Sequence, residues 1–118
     1  MIPRTIYTEE HDIFRDSVRR FVEKEIVPHH EQWERDGMVS RELWQAAGEN
    51  GLLCCFVPPE YGGPGGDFLH MAVVTEELAR VEASGPAFHL HSAIVAPYIF
   101  HYGTEEQKQA FLPGMCSG

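Results

Sequence analysis

Apolar residues recur at helical spacing along most of this chain, and the pattern predicts an all-α protein. The first helix is expected to begin after Thr8, a favourable N-cap residue, because acidic residues that suit a helix N-terminus follow it directly. Pro28 predicts its end. Its buried face is expected to consist of five apolar residues: Phe14, Val18, Phe21, Val22 and Ile26.

Two further helices are expected on either side of a rigid loop. Ser40 predicts the start of the second helix, and Gly51 suits the left-handed position after its end. The third helix is expected to begin after Asp67 and to run to about residue 80 or 82. Segment 57–66 lies between them and is too rich in proline and glycine to be helical. We expect Tyr61 to anchor it as a fixed loop.

Segment 84–104 carries almost no charge, and this predicts a helix that is buried on nearly every side. Pro86 suits its first turn, and Gly103 its end. Pro97 lies inside it and predicts a kink near residues 93–96, because proline removes one backbone hydrogen bond and clashes one turn back. Small residues in its first half leave room beside it for another helix or a ligand.

The sequence Thr104-Glu105-Glu106-Gln107 is a capping box and predicts the start of a fifth helix, which is expected to end before Pro113. No stretch alternates between apolar and polar residues as a half-buried strand does, and only residues 53–57 are extended enough to leave a short strand open. The fold class is therefore predicted to be all-α. We expect one domain over residues 1–118, an orthogonal bundle of about five helices.

Composition excludes several classes of function. The chain has 118 residues and a formal net charge of −9, which argues against binding to nucleic acid or to an anionic membrane, since both need clustered basic residues. No run reaches the ~18 apolar residues of a membrane span. The N-terminus has neither the apolar core of a signal peptide nor an Arg-rich transit pattern, so we expect a cytoplasmic protein.

The three cysteines do not form a disulfide framework. Cys54 and Cys55 lie in an apolar run and are expected to be small buried residues, with a vicinal disulfide or redox switch as the alternative. No serine stands in the G-x-S-x-G setting of a hydrolase. The glycines of segment 62–66 lack the following lysine of a phosphate-binding loop.

The histidines do not form a recognisable metal site in the sequence. His89 and His91 would point about 200° apart on a helix, so they cannot share an ion. His30 and Glu34 can share a helix face, but the sequence places no third ligand beside them. We therefore expect no metal in this chain, and the sequence alone offers no catalytic constellation.

Two features leave a choice between a structural and a functional role. Glu76 and Glu77 are adjacent, so on a helix they diverge by about 100° and cannot act as an acid–base pair; at least one is expected to face solvent. An apolar ridge is expected on the fourth helix, where it could be ordinary core or the wall of a ligand site. It consists of Pro86, Leu90 and Ile94, with Ala87 beside them.

Four sequence blocks, in this order and at these spacings, resemble the N-terminal helical domain of the acyl-CoA dehydrogenases over essentially the whole chain. The segment His91-Ser92-Ala93-Ile94-Val95-Ala96-Pro97-Tyr98-Ile99 is most similar to the long-chain branch of that family. The four blocks are Tyr7-Thr8-Glu9-Glu10-His11 through Pro28, Gly51-Leu52-Leu53 through Gly63, Thr75-Glu76-Glu77-Leu78-Ala79-Arg80, and Tyr102-Gly103-Thr104-Glu105 through Pro113.

The resemblance implies an enzyme of three parts, of which this chain is the first. A β-barrel and a C-terminal helical bundle would bind FAD and supply the catalytic glutamate, so the resemblance implies no catalytic and no cofactor-binding residue here. The ridge matches the tunnel-lining segment of the family and would contact the acyl tail of an acyl-CoA. An electron-transfer partner and a homo-oligomer are implied for the full-length enzyme.

Two alternatives remain open from the sequence. The same helical domain occurs in acyl-CoA oxidases and flavin monooxygenases, which the barrel and C-terminal residues would distinguish. A stand-alone helical interaction module is the other alternative. A stop codon after Gly118 would favour the module, and a continuing barrel sequence would favour the enzyme.

Overall fold

The computed structural model describes residues 2–118, and within that range every regular element is a helix. The predicted all-α class is confirmed. The principal helices are α1 (Glu9–Phe21), α2 (His30–Asp36), α3 (Arg41–Glu49), α4 (Phe68–Arg80), α5 (Ala96–Tyr102) and α6 (Glu105–Ser117), with π-helical stretches at Val22–Ile26 and Leu90–Val95 and a 3-10 turn at Pro59–Tyr61.

The main core lies where α1 packs against α4. The predicted face of α1 supplies Val18 and Phe21 to it, and the π-helical turn that follows supplies Val22 and Ile26. Phe14 is only partly buried at its edge. Residues of α3, α4 and the connecting segments complete the core: Leu43, Ala47, Leu52, Leu53, Cys55, Met71, Val73, Val74, Leu78, Ala83 and Phe88.

The helix starts follow the predicted capping residues. Thr8, Asp67 and Thr104 each form a capping box with the residue three positions later, and the Ser40 hydroxyl accepts a hydrogen bond from the Leu43 N–H at 3.3 Å. The predicted left-handed glycine after α3 is also present, since Gly51 has φ of 73°. Local side-chain chemistry is therefore enough to place these boundaries.

The sequence predicted about five helices and missed the short helix α2. This helix has seven residues, none of them buried, so it carries no periodic apolar face that a pattern could reveal. It ends at Gly37, which adopts the left-handed conformation with φ of 75°. Trp33 packs its partly buried side chain against the main core and holds α2 in place.

The predicted end of the last helix before Pro113 is wrong, because α6 continues through that proline to Ser117. Proline costs a helix one backbone hydrogen bond, and burial can offset that cost. Leu112 and Cys116 lie one turn apart on either side of Pro113, and both are buried in a second core cluster with Cys54, Val57, Tyr61 and Ala96. The packing of these side chains explains why the helix persists.

The helix that contains Pro97 departs from α geometry just before the proline. It begins at Phe88, is π-helical over Leu90–Val95 and becomes regular from Ala96. A π-helical stretch shifts the hydrogen-bond register where proline supplies no N–H, which is a recognised way to accommodate it. The kink expected near residues 93–96 falls within this stretch, and the bend of the axis itself stays a prediction.

Candidate functional site

An exposed apolar surface follows the outer side of this proline-containing helix and extends to the middle of α6. We call it the apolar face, defined by Leu90, Ile94, Val95, Tyr98, Tyr102 and Phe111, whose exposed fractions run from 43% to 83%. This contradicts the expectation of a helix buried on nearly every side. Contiguous exposed apolar surface on a folded domain indicates a place where another surface or a ligand packs.

A cleft of about 350 Å³ opens within the apolar face. Tyr98, Tyr102 and Phe111 line it together with Gln107, and the rings of Tyr98 and Tyr102 lie 6.3 Å apart. The lining contains no basic side chain that could pair with a phosphate or a carboxylate. The cleft therefore suits an apolar group.

The structure divides the four predicted ligand-contacting residues into two pairs instead of one helical ridge. Pro86 and Ala87 precede the helix, because the Phe88 N–H donates to the Pro86 carbonyl at 2.8 Å and regular helix begins only at Phe88. Pro86 is buried and Ala87 is half-buried. Leu90 and Ile94 are 50% and 47% exposed and belong to the apolar face.

The opposite side of the same helix is anchored in the protein. Phe88, Ser92 and Ala96 are fully buried there. The Trp44 ring packs edge-on against the Phe88 ring, with centroids 4.8 Å apart. Burial also lowers the pKa of His91, whose Nδ1 lies 2.9 Å from the Ser92 hydroxyl. The packing of this buried side thus fixes the position of the apolar face.

The three cysteines are buried free thiols. For Cys54 and Cys55 this confirms the expectation of small buried residues and not of a vicinal disulfide. Cys54 and Cys116 lie together in the second core cluster, and Cys54 donates to the Ser92 hydroxyl at 3.8 Å. Burial raises the pKa of Cys55 to about 12, so its thiol stays protonated and poorly nucleophilic at neutral pH. These groups act as small core residues.

The adjacent glutamates Glu76 and Glu77 both contact Arg15, so neither is a free carboxylate, and only Glu76 is partly open to solvent. Glu77 is only 2% exposed, and its oxygens accept hydrogen bonds of 2.9–3.2 Å from three arginines on two helices: Arg15, Arg19 and Arg80. Glu76 keeps 32% of its side chain exposed and pairs with Arg4, Arg15 and Tyr7. We call these residues the arginine–glutamate cluster.

Hydrogen bonds from Arg19 are the largest of the effects that lower the pKa of Glu77, to about 2, with further help from Arg80 and Arg15 against the opposing effect of burial. A carboxylate with so low a pKa stays ionised at neutral pH and does not exchange protons with a substrate. The cluster instead ties α1 to α4. Arg15 and Arg19 lie one turn apart on α1, so both can reach the same carboxylate on α4.

A second polar cluster, which the sequence did not reveal, joins the N-termini of α1 and α4. The imidazole of His11 is at the third position of α1, and that of His70 is at the third position of α4. His11 Nε2 lies 3.0 Å from each carboxylate oxygen of Asp67, and His70 Nδ1 lies 2.9 Å from Asp67 Oδ1. Residues 56 positions apart meet here only because α1 and α4 pack side by side.

The expected pairing of His30 with Glu34 is weak in the structure. The His30 Nδ1 atom lies 3.8 Å from the nearer Glu34 oxygen, and the His30 Nε2 atom accepts a hydrogen bond from the Gly85 N–H at 2.9 Å. His30 is therefore a structural link between α2 and the segment before Pro86. No helix within residues 2–118 is long and apolar enough to cross a membrane.

Comparisons with known proteins agree with the geometry of the fold. The family model described as acyl-CoA dehydrogenase, N-terminal domain, matches residues 8–118. The chain is 53% identical to the mitochondrial long-chain specific acyl-CoA dehydrogenase of Rattus norvegicus over 115 residues, which cover 98% of this chain and 27% of that protein. The chain therefore spans about a quarter of the length of this relative.

Two solved structures share the fold over nearly the whole chain. The acyl-CoA dehydrogenase from Geobacillus kaustophilus matches with a TM-score of 0.93 and 45% identity, over 98% of this chain and 30% of that one. An acyl-CoA dehydrogenase from Bacillus anthracis, complexed with FAD, matches with a TM-score of 0.82 and 29% identity, over 98% of this chain and 20% of that one.

Proposed function

Because this chain belongs to the acyl-CoA dehydrogenase family as an N-terminal domain, we propose that it serves a full-length enzyme that desaturates an acyl-CoA thioester with the help of FAD. In that enzyme it would cover part of the flavin site and form one wall of the acyl tunnel. The observation that carries this proposal is the apolar face. Its residues are exposed to solvent, while the opposite side of the same helix is buried in the protein.

The cleft in the apolar face does not suit the diphosphate of FAD. The diphosphate of that cofactor needs basic side chains or free backbone N–H groups, and the cleft in the apolar face is lined by apolar and aromatic residues with one glutamine. When bound, FAD supplies the acceptor for the hydride in this family. We assign its binding to the remainder of the protein, and no catalytic step to this chain.

This chain would contribute by binding the acyl tail and excluding water. Leu90 and Ile94 present branched apolar side chains on the outer side of the helix, and the half-buried Ala87 directly precedes that helix. Each methylene group that such a wall removes from water contributes ~0.8 kcal/mol to binding. Pro86 is buried and would shape this wall from behind. The partners of the whole enzyme would be the acyl-CoA, a second subunit and an electron-transfer protein.

Steady-state kinetics of the full-length enzyme with acyl-CoA substrates of increasing chain length would test the tunnel wall. Replacing Ala87 or Leu90 by Trp fills volume where distal methylene groups would lie. We expect a selective loss of kcat/KM for long substrates, with short substrates nearly unaffected. Ile13→Trp is the matched control, because Ile13 is 63% exposed on α1, outside the apolar face, and should leave the chain-length profile unchanged.

Equal loss at every chain length, or no loss in stably folded Trp variants, would contradict a role in the tunnel. The reaction itself is tested separately. A full-length protein that binds stoichiometric flavin and reduces a dye with acyl-CoA supports the dehydrogenase, whereas rapid reduction of dioxygen supports the oxidase or monooxygenase alternative. A protein that ends at Gly118 and binds a partner without flavin would support the interaction module.

A further inference from the structure

Three potential metal ligands converge where α1 and α4 begin. One nitrogen from each of His11 and His70 and one carboxylate oxygen of Asp67 lie within 4.8 Å of one another. The side chains of His11 and His70 are only 5% and 12% exposed, whereas that of Asp67 is 55% exposed. The cluster is thus held by the protein on two sides and open to solvent on the third.

The separations between Asp67 and each histidine are close to those around a tetrahedral metal ion. Ligands about 2.0 Å from such an ion lie about 3.3 Å from one another. In the structure, the Asp67 carboxylate oxygens are 3.0 Å from His11 Nε2 and 2.9 Å from His70 Nδ1. The two histidine nitrogens are within 4.8 Å of each other, so the imidazoles would have to approach one another for all three atoms to contact one ion.

Each histidine also has a partner for the nitrogen that would not bind the ion. His11 Nδ1 lies 3.0 Å from the Thr8 hydroxyl, which can accept its proton, and His70 Nε2 lies 3.6 Å from a Glu10 carboxylate oxygen. Metal-bound histidines usually donate their second N–H to such a group, which orients the ring. The hydrogen bonds that the Thr8 and Asp67 N–H groups now donate to these rings would be given up when the ion binds.

The charge around the cluster favours a cation despite the two helix N-termini. Glu9, Glu10 and Asp12 lie in the first turn of α1, beside Asp67, and the whole chain carries a net charge of −9. A cleft of about 260 Å³, lined in part by Glu10, Phe14 and His70, gives solvent access to the site. Two imidazoles with one carboxylate are ligands that suit zinc-like transition metals better than magnesium or calcium.

We propose that His11, Asp67 and His70 bind one divalent transition metal ion of the Zn²⁺ class, with solvent completing the coordination. The ion would link the N-termini of α1 and α4. This site is distinct from the apolar face and its validity does not depend on the proposed enzymatic function.

Glutamine variants separate this proposal from a purely structural role of the cluster. Glutamine at the third helical position preserves the capping box, because its side-chain oxygen accepts the hydrogen bond from the N-cap N–H. His11→Gln and His70→Gln therefore keep the helix caps and remove one metal ligand each. His101→Gln is the control, since His101 is exposed on α5, away from the cluster.

The experiment is a calorimetric titration of the chain with Zn²⁺, joined to visible spectroscopy with Co²⁺ as a second probe. We expect one ion per chain, tetrahedral Co²⁺ absorption bands and no response to Mg²⁺. Each glutamine variant should bind at least about tenfold more weakly, with unchanged circular dichroism, and the control should bind normally. Should the buried His11→Gln variant fail to fold, His70→Gln alone decides. Absence of saturable binding, or unchanged affinity in His70→Gln, would overturn the proposal.

Discussion

At the scale of single residues, Glu77 makes stability depend on pH. Its hydrogen bonds to three arginines lower its pKa from the ordinary value of 4.5 to about 2. A folded-state pKa below that of the unfolded chain stabilises the fold above pH 4.5, and this contribution is lost as pH falls from 4.5 towards 2. At neutral pH a shift of this size corresponds to about 3 kcal/mol.

Urea denaturation at pH 7, 5 and 3 would measure this contribution. Glu77→Gln should lower stability at pH 7 by about 3 kcal/mol, because it removes the buried carboxylate that three arginines share, and should flatten the loss of stability between pH 4.5 and 2. Glu49→Gln is the control, as Glu49 is exposed at the end of α3. If both variants showed the acid dependence of the parent chain, the pairing of Glu77 would not contribute to it.

Core packing gives a second prediction at this scale. The sequence predicted Phe14 and Phe21 in the core, and the structure buries Phe21 to 8% exposure while leaving Phe14 partly buried. Phe21→Ala should therefore cost about 3–5 kcal/mol, and Phe14→Ala distinctly less, in chemical denaturation. A cost well under 1 kcal/mol for Phe21→Ala would mean that its cavity collapses without loss.

Single residues also show which contacts can be predicted from the sequence and which cannot. Helical spacing identified the buried positions of α1, because burial repeats with the period of the helix. It could not reveal that Glu77 meets Arg15 and Arg19, or that His11 meets Asp67 and His70, since both depend on how α1 packs against α4. Long-range polar contacts leave no periodic signal.

At the scale of elements, helix starts were predictable and helix ends were less so. An N-cap depends on a few consecutive residues, so the sequence identified all four of these N-cap residues correctly: Thr8, Ser40, Asp67 and Thr104. The end expected at Pro113 was wrong, because the burial of Leu112 and Cys116 offsets what the proline costs. Local propensity decides an element only where tertiary packing does not oppose it.

Two glycines inside helices provide a matched test of how α3 and α6 pack. A Cβ atom on Gly48 would collide with the backbone carbonyl of Ser117, whereas one on Gly114 would meet nothing within 4 Å. Gly48→Ala should therefore destabilise the chain by about 1–3 kcal/mol, and Gly114→Ala should be neutral or stabilise it by up to about 1 kcal/mol. Thermal unfolding followed by circular dichroism would measure both. Equal behaviour of the two variants would mean that α3 and α6 separate easily.

At the scale of the whole molecule, the sequence predicted the family correctly but the geometry of the candidate site incorrectly. The resemblance to the family was carried by motifs, and the comparisons confirm it. The prediction of one continuous ridge assumed a regular helix from residue 86 and placed four residues on it: Pro86, Ala87, Leu90 and Ile94. In the structure the helix begins at Phe88 and is π-helical over Leu90–Val95. A periodic pattern cannot anticipate such a change of register, and it cannot show which side of an apolar helix is left exposed.

The exposed side of that helix leads to the last prediction. The chain alone should bind the dye ANS and self-associate through the apolar face, because contiguous apolar surface of this kind is normally covered. Leu90→Ser combined with Tyr98→Ser should reduce both, with stability within about 0.5 kcal/mol of the parent, since the two side chains are 50% and 66% exposed. Phe68→Ser is the control, because Phe68 is 64% exposed at the start of α4, outside the face. Fluorescence and sedimentation equilibrium would decide: if the control lowered ANS binding and self-association as much as the double variant, the apolar face would not be the surface that another part of the protein covers.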